Sequence, residues 1–285
     1  MNEINIVTTT GLDPILLHHF IKYYKQLGVD NFYIVVWGDS KKVKYKEIVD
    51  VLETHNLEIY KDLRDVNTGD AKYLTDIYND IISDKPNEWW IVADLDEFAV
   101  FPKPLKEFIQ EDLVNNDFAY GLVLDRVGEN GEIDELKYED DIWERFPNVG
   151  LVSHNIRENN NIWCGLLKGK YELDVGQHGL KQINFDINKV KIQVHNFTWK
   201  KSDIQKIKYY MKLWKPGTDY PLWINEYVRV DNYLKKNKKI DILDDKFLIE
   251  RCTGDKFDSY SEWGDLLIRG KTGDENFYKL LVGRW

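Results

Sequence analysis

The sequence predicts an α/β fold: a mostly parallel central sheet flanked by helices, with a helical C-terminal extension. Three observations carry this. Strand, helix and strand patterns follow one another between Glu3 and Trp37, the signature of a βαβ unit and a parallel sheet. The run Trp89-Trp90-Ile91-Val92-Ala93 is apolar and bounded by polar residues, which suits a strand buried on both faces. The 285 residues are 43% hydrophobic and 31% charged, an ordinary globular balance with enough chain for one large α/β domain. The pattern changes at Ser202, so residues 1–201 are expected to form the main domain and 202–285 a helical extension packed on it.

In order, Glu3 to Thr10 is the first strand. Asp13 can cap the following helix and Pro14 suits its first turn. Leu16, Leu17, Phe20, Ile21 and Tyr24 recur at helical spacing, and Gly28 ends the helix. Asn31 to Trp37 is a second strand, Tyr45 to His55 a second helix, and Leu57 to Tyr60 a short strand. A third helix runs from about Gly69 to Ile82. After the Trp89 strand, Pro102 and Pro104 break the chain, Leu105 to Leu113 is helical and Phe118 to Leu124 is a buried strand. Residues 131–161 are polar and irregular, expected to form a mobile loop on the acceptor side. Ile162 to Leu167 and Lys170 to Leu173 look like strands joined around Gly169, and Val190 to Thr198 is a strand. Beyond it, Ile204 to Trp214, Leu222 to Asn237, Lys246 to Arg251 and Glu275 to Leu281 are helical candidates. The lysines at 235, 236, 238 and 239 suit a solvated helix end.

Parallel sheets take ligands beyond the carboxyl ends of their strands. That puts Thr8, Thr9, Thr10, Asp39 and Ser40 on the same rim as Asp94. The Trp89 strand runs into Asp94-Leu95-Asp96-Glu97. Alternate residues of an extended chain share a side, so Asp94 and Asp96 are expected to point together. Two carboxylates there repel and lose hydration. A hard divalent cation, Mg²⁺ or Mn²⁺, relieves both costs and recruits substrate phosphates as further ligands.

The segment VADLDEF resembles the metal-binding Asp-x-Asp segment of GT-A glycosyltransferases, in particular the family 2-like and family 92-like group with Asp-x-Asp-Glu-Phe. LLHHFIKYYKQLGVDNFYIV, from Leu16 to Val35, is similar to that group's helix ending in Leu-Gly-Val before a short strand. The likeness extends to about residue 200. It implies a Rossmann-like GT-A fold and transfer of a sugar from a nucleotide diphosphate sugar to an acceptor hydroxyl, in glycan or polysaccharide synthesis. It implies Mn²⁺ or Mg²⁺ held by Asp94 and Asp96, with His195 in His-Asn-Phe as a third ligand. Thr8 and Thr10 become candidates for the base or ribose, although both equally suit the end of a strand. Arg64 and Lys72 are candidates for neutralising the diphosphate, and Asp39, Asp94, Arg126 and His178 for other donor contacts. For the catalytic base the candidates are Asp125, Asp174 and Glu97. No late Glu-Asp dyad of the kind found in family 2 enzymes is present, so the base and the stereochemical outcome stay open.

Rival readings are a nucleotidyltransferase, a metal-dependent phosphohydrolase, or a non-catalytic carbohydrate-binding protein on the same scaffold. The first usually opens with a glycine-rich phosphate loop, and TTTGLDP lacks the repeated glycines. A net charge of −10 argues against a nucleic-acid partner held by phosphate contacts. Cys164 and Cys252 alone make neither a disulfide framework nor a zinc site. No signal peptide or apolar run of about 18 residues is evident, so no transmembrane segment is expected, and a cytoplasmic setting, bacterial or viral-host, is.

Overall fold

The computed structural model describes residues 3–66, 70–157, 161–177, 179–181, 183–213 and 222–271. Its elements in chain order are β1 (Ile4–Thr10), α1 (Pro14–Leu27), β2 (Asn31–Gly38), α2 (Tyr45–Thr54), β3 (Lys61–Arg64), α3 (Ala71–Ser83), β4 (Trp89–Val92), β5 (Glu97–Val100), α4 (Leu105–Asp112) and β6 (Phe118–Val127). Then come α5 (Ile142–Arg145), β7 (Asn148–Gly150), α6 (Val152–Arg157), β8 (Ile162–Lys168), β9 (Val190–Trp199), α7 (Lys201–Leu213), α8 (Leu222–Asn237), β10 (Glu250–Arg251) and α9 (Trp263–Lys271). Among the described residues the strands make up a ten-stranded mixed sheet. Two compact units are defined, 1–122 with 162–194 and 123–161 with 195–285. The division therefore passes through β6 and β9 and not through the junction expected at residue 201.

In the first unit, β1 pairs in parallel with β2 and with β4, and β2 with β3. Beyond β4 the pairing reverses: β8 is antiparallel to β4 and to the first half of β6. The α1 signals are realised. The Asp13 carboxylate accepts the Leu16 N–H at 3.0 Å, Pro14 opens the helix and Gly28 closes it at φ 93°. Leu16, Leu17, Phe20, Ile21 and Tyr24 are all buried, as an apolar helix stripe on a sheet requires. For α3 the cap is Asp70, accepting from the Tyr73 N–H.

Two local expectations fail in this unit, and one strand is unexpected. The third strand is Lys61–Arg64, not Leu57–Tyr60, because its pairing begins at Val35↔Lys61; Tyr60 instead lies edge-on to Tyr33. Lys170 to Leu173 is not a strand: the pairing there is one bridge, Leu173↔Leu180. Glu97–Val100 is a strand that local pattern does not distinguish from the turn before it.

In the second unit, the end of β6 pairs antiparallel with β7, and β7 with β10. Val127, Val152, Ile156, Trp199, Ile204, Ile207, Val230, Ile240 and Phe247 form its core, which draws α6, α7 and α8 together. The stretch expected as a mobile loop thus holds α5, β7 and α6. Phe146, Val149, Leu151 and Val152 are buried there, so a short apolar cluster outweighs the polar average around it. Lys246–Arg251 forms a single 3₁₀ turn and β10, not a helix. The helix expected at Glu275–Leu281 lies outside the described residues. Among the described residues no helix is long and apolar enough to cross a membrane.

Candidate functional site

The parallel strands of the first unit end together. Thr10 is level with Val36, Gly38 with Arg64, and Val7 with Val92. One rim therefore carries the ends of β1, β2, β3 and β4, with Asp39 after β2, Asp65 after β3 and Asp94 after β4. This is the edge where such sheets take ligands.

Asp94 to Glu97 is a tight turn and not extended chain. The Glu97 N–H donates to the Asp94 carbonyl at 3.0 Å, and the Asp94 N–H donates to Glu97 Oε2 at 3.0 Å. The expectation that Asp94 and Asp96 share a side by strand alternation is thereby corrected: a turn, not a pleat, sets their direction. Asp94 is exposed, Asp96 half-buried and Glu97 buried. The turn is held from behind by α1. Tyr24 Oη donates to the Glu97 carbonyl at 2.9 Å, the Ala99 N–H donates to Tyr24 Oη at 3.0 Å, and Tyr23 Oη donates to the Ala99 carbonyl at 2.8 Å.

The electrostatics are those of crowded acids. Burial pushes Glu97 well above the usual carboxyl range, and the negative charges of Asp94 and Asp96 push it further. The Tyr78 phenol, buried on α3, is raised first by burial and then by Asp94. Sequence reasoning missed Tyr78. The available signal was a tyrosine on the core face of α3, in step with Leu74 and Ile81, whose hydroxyl needs a polar partner. An all-oxygen donor set fits a hard cation. Among the described residues no three His, Cys, Asp or Glu side chains are grouped to hold an ion. Asp94 and Asp96 therefore fit a metal only as a two-carboxylate site completed by water or a ligand's own oxygens, the arrangement usual for Mg²⁺.

The other expected contacts of this unit lie as follows. Thr8 and Thr10 are shut from solvent, 0% and 4% exposed, and their hydroxyls have no hydrogen-bond partner among the described residues. Asp39 accepts the Lys41 N–H at 2.9 Å and shapes the turn after β2. Arg64 is clamped by Asp62, with Nη2 to Oδ2 at 2.6 Å, and lies 3.8 Å over the Tyr45 ring. Lys72 pairs with Asp76 at 2.6 Å, one helical turn on. Both candidate cations are thus already matched by neighbouring acids. Asp174 is half-exposed in a turn that accepts the Val175 N–H at 2.8 Å. That turn is fastened to α3: Asn79 bonds both backbone groups of Leu173, and the Gly176 N–H donates to Thr75 Oγ1. His178 lies outside the described residues.

Asp125, Arg126 and His195 belong to the second unit. Asp125 is 1% exposed. It accepts the Ser153 N–H at 2.7 Å and the Trp199 Nε1–H at 2.9 Å, and also binds Ser153 Oγ. Burial raises its carboxyl, and those bonds oppose the rise. A carboxylate so enclosed ties α6 to β9 and does not fit a base waiting for an acceptor hydroxyl. Arg126 is fully buried and donates to His195 Nδ1 at 2.8 Å and to the carbonyls of Phe146 and Gly254. Its guanidinium lies 4.8 Å from the Trp143 ring centre. Packing of this kind does not suit a donor phosphate contact. Burial and the adjacent Arg126 hold His195 well below its usual range, hence neutral. With Nδ1 accepting, the ring's proton sits on Nε2. Metal ligation by that nitrogen would require its loss.

No protein-family model and no curated protein matches the chain. Among solved structures, TarS of S. aureus is similar at 11% identity and a TM-score of 0.33, over 82% of this chain and 43% of that one. CMP:2-keto-3-deoxy-manno-octonic acid synthetase, solved with CTP, is similar at 10% identity and a TM-score of 0.29, over 81% and 86%. The chain thus spans less than half the length of TarS. At TM-scores of this size neither likeness bears on the fold or the function.

Proposed function

We propose that the chain is a glycosyltransferase that moves a sugar from a nucleotide diphosphate sugar to an acceptor hydroxyl, with Asp94 and Asp96 holding Mg²⁺ or Mn²⁺. One observation carries the reading: three carboxyl groups are packed into a turn at the carboxyl end of a parallel strand, and the buried one, Glu97, is raised first by burial and then by the charges of the other two. That cost is relieved by a cation. The ion, when bound, offsets charge developing on the departing diphosphate. Asp94 and Asp96 orient it, and the Tyr23 and Tyr24 hydroxyls keep their turn in place. Of the three base candidates Glu97 and Asp125 are buried, so Asp174 is the one we retain. Its turn is fixed to α3, the helix that follows β3 from the same rim. Arg64 and Lys72 can serve a diphosphate only by exchanging Asp62 and Asp76 for phosphate oxygens, which weak, solvent-screened surface ion pairs permit.

The test is release of nucleoside diphosphate from UDP-, GDP- and dTDP-sugars with Mn²⁺, run on the unaltered chain and on Asp96→Asn. Release that needs the metal and is lost in a variant with an unchanged melting temperature supports the proposal. Equal release by both, or none from any donor, refutes it. Pyrophosphate release from a nucleoside triphosphate in the same assay would favour a nucleotidyltransferase.

A further inference from the structure

A second cluster of metal-ligating side chains lies in the first unit, on helices that the reading above does not use. His18 on α1 and His55, the residue that closes α2, bring His55 Nε2 within 3.1 Å of His18 Nδ1. The ring centres are 4.9 Å apart and tilted by 49°. His19 stands edge-on to His18 at 5.4 Å. His18 and His55 are both half-buried, so solvent reaches them, whereas His19 is 3% exposed. Lys25 Nζ donates to the His55 carbonyl at 2.5 Å and fixes the backbone that carries that ring.

Two ring nitrogens can stand 3.1 Å apart because they share a proton or because they can share an ion. Ligands bound at about 2.0–2.1 Å to one tetrahedral or square-planar ion lie roughly 2.9–3.4 Å from each other, so the observed gap needs little change. We infer that His18 and His55 form a two-histidine site for a borderline divalent transition-metal ion, zinc, copper(II) or nickel(II). An imidazole nitrogen ligates in its neutral form, so uptake should rise with pH. Binding requires that the proton between the rings move to the outer nitrogen of its own ring and that the rings turn so that both lone pairs converge on the ion. Lys22 and Lys25 lie close enough to oppose a cation. That repulsion acts on every divalent ion, so only one that binds imidazole strongly can offset it, which hard ions such as Mg²⁺ do not. Two protein ligands leave the remaining positions to water.

The experiment titrates the full chain with Zn²⁺ or Ni²⁺ alone by calorimetry. It is done in an Asp94→Asn, Asp96→Asn background so that the acidic turn does not contribute. One site is expected. Outer-shell losses already cost about 10–100-fold in metal affinity, so His18→Gln or His55→Gln should weaken uptake at least tenfold, while His154→Gln should not. Isotherms of both histidine variants that match that of the background chain, or no uptake by that chain, overturn the inference. Should a histidine variant fail to fold, Ni²⁺ broadening of imidazole and amide resonances in the Asp94→Asn, Asp96→Asn chain decides: broadening centred on residues 18 and 55 supports the site, and broadening only elsewhere overturns it.

Discussion

Removing the Asp125 carboxylate separates a structural role from a catalytic one. The group is buried with three donors on it: Ser153 N–H, Ser153 Oγ–H and Trp199 Nε1–H. In Asp125→Ala the indole keeps a second contact, to Ser153 Oγ at 3.2 Å, so the two serine donors are the ones left unpaired. At about 1–3 kcal/mol for each of the two buried donors, the loss is about 2–6 kcal/mol. Asp125→Asn keeps one oxygen and turns an amide toward the other donors, for a loss of about 1–3 kcal/mol. Because burial raises the Asp125 carboxyl above its ordinary range, the folded state holds that proton longer than the unfolded state. The associated stability is present at low pH and falls as pH climbs through the folded value, a slope that Asp125→Asn removes. Urea unfolding followed by circular dichroism between pH 4 and 8 measures all three quantities. Loss of a general base costs about 10²–10⁴ in rate, so Asp125→Asn, assayed where it is folded, should keep donor cleavage far above that level. A cost under about 1 kcal/mol for the alanine variant, or a well-folded asparagine variant a hundredfold slower, would refute the assignment.

Three further outcomes are expected. Asp13→Ala removes the cap on Leu16 N–H and should cost about 1 kcal/mol in thermal or urea unfolding. Gly131 sits at φ 79° with Ile240 O only 1.9 Å from where a Cβ would stand, so Gly131→Ala should cost about 2–5 kcal/mol by the same measurements. His55 is depressed to about 4, by burial first and then by His18 and Lys25. The unfolded chain therefore takes up its proton first as pH falls, and stability should drop from about pH 6.5 toward pH 4. In His55→Gln that drop should be shallower, as read from urea midpoints across the range.

Much of the first unit was legible residue by residue. Asp13, Pro14 and Gly28 bracket α1 because capping and positive φ are local chemistry. Trp89–Val92 is a strand because a short apolar run has few other uses. Its acidic end falls on the rim because parallel strands of one unit end together. What composition and spacing could not settle were contacts made at long sequence distance. The Asp94–Glu97 turn is held by tyrosines more than 70 positions earlier. Arg126 and Asp125 look like rim residues in isolation, yet His195, Ser153 and Trp199 close over them. Residues 131–161 read as loose because their average is polar, while Phe146 packs on Phe197, Val149 pairs with β6 and β10, and Val152 joins a core with α7 and α8. Local pattern fixes where a backbone can bend and which face is oily; whether a given carboxylate meets solvent or an indole depends on segments that no window of the sequence contains.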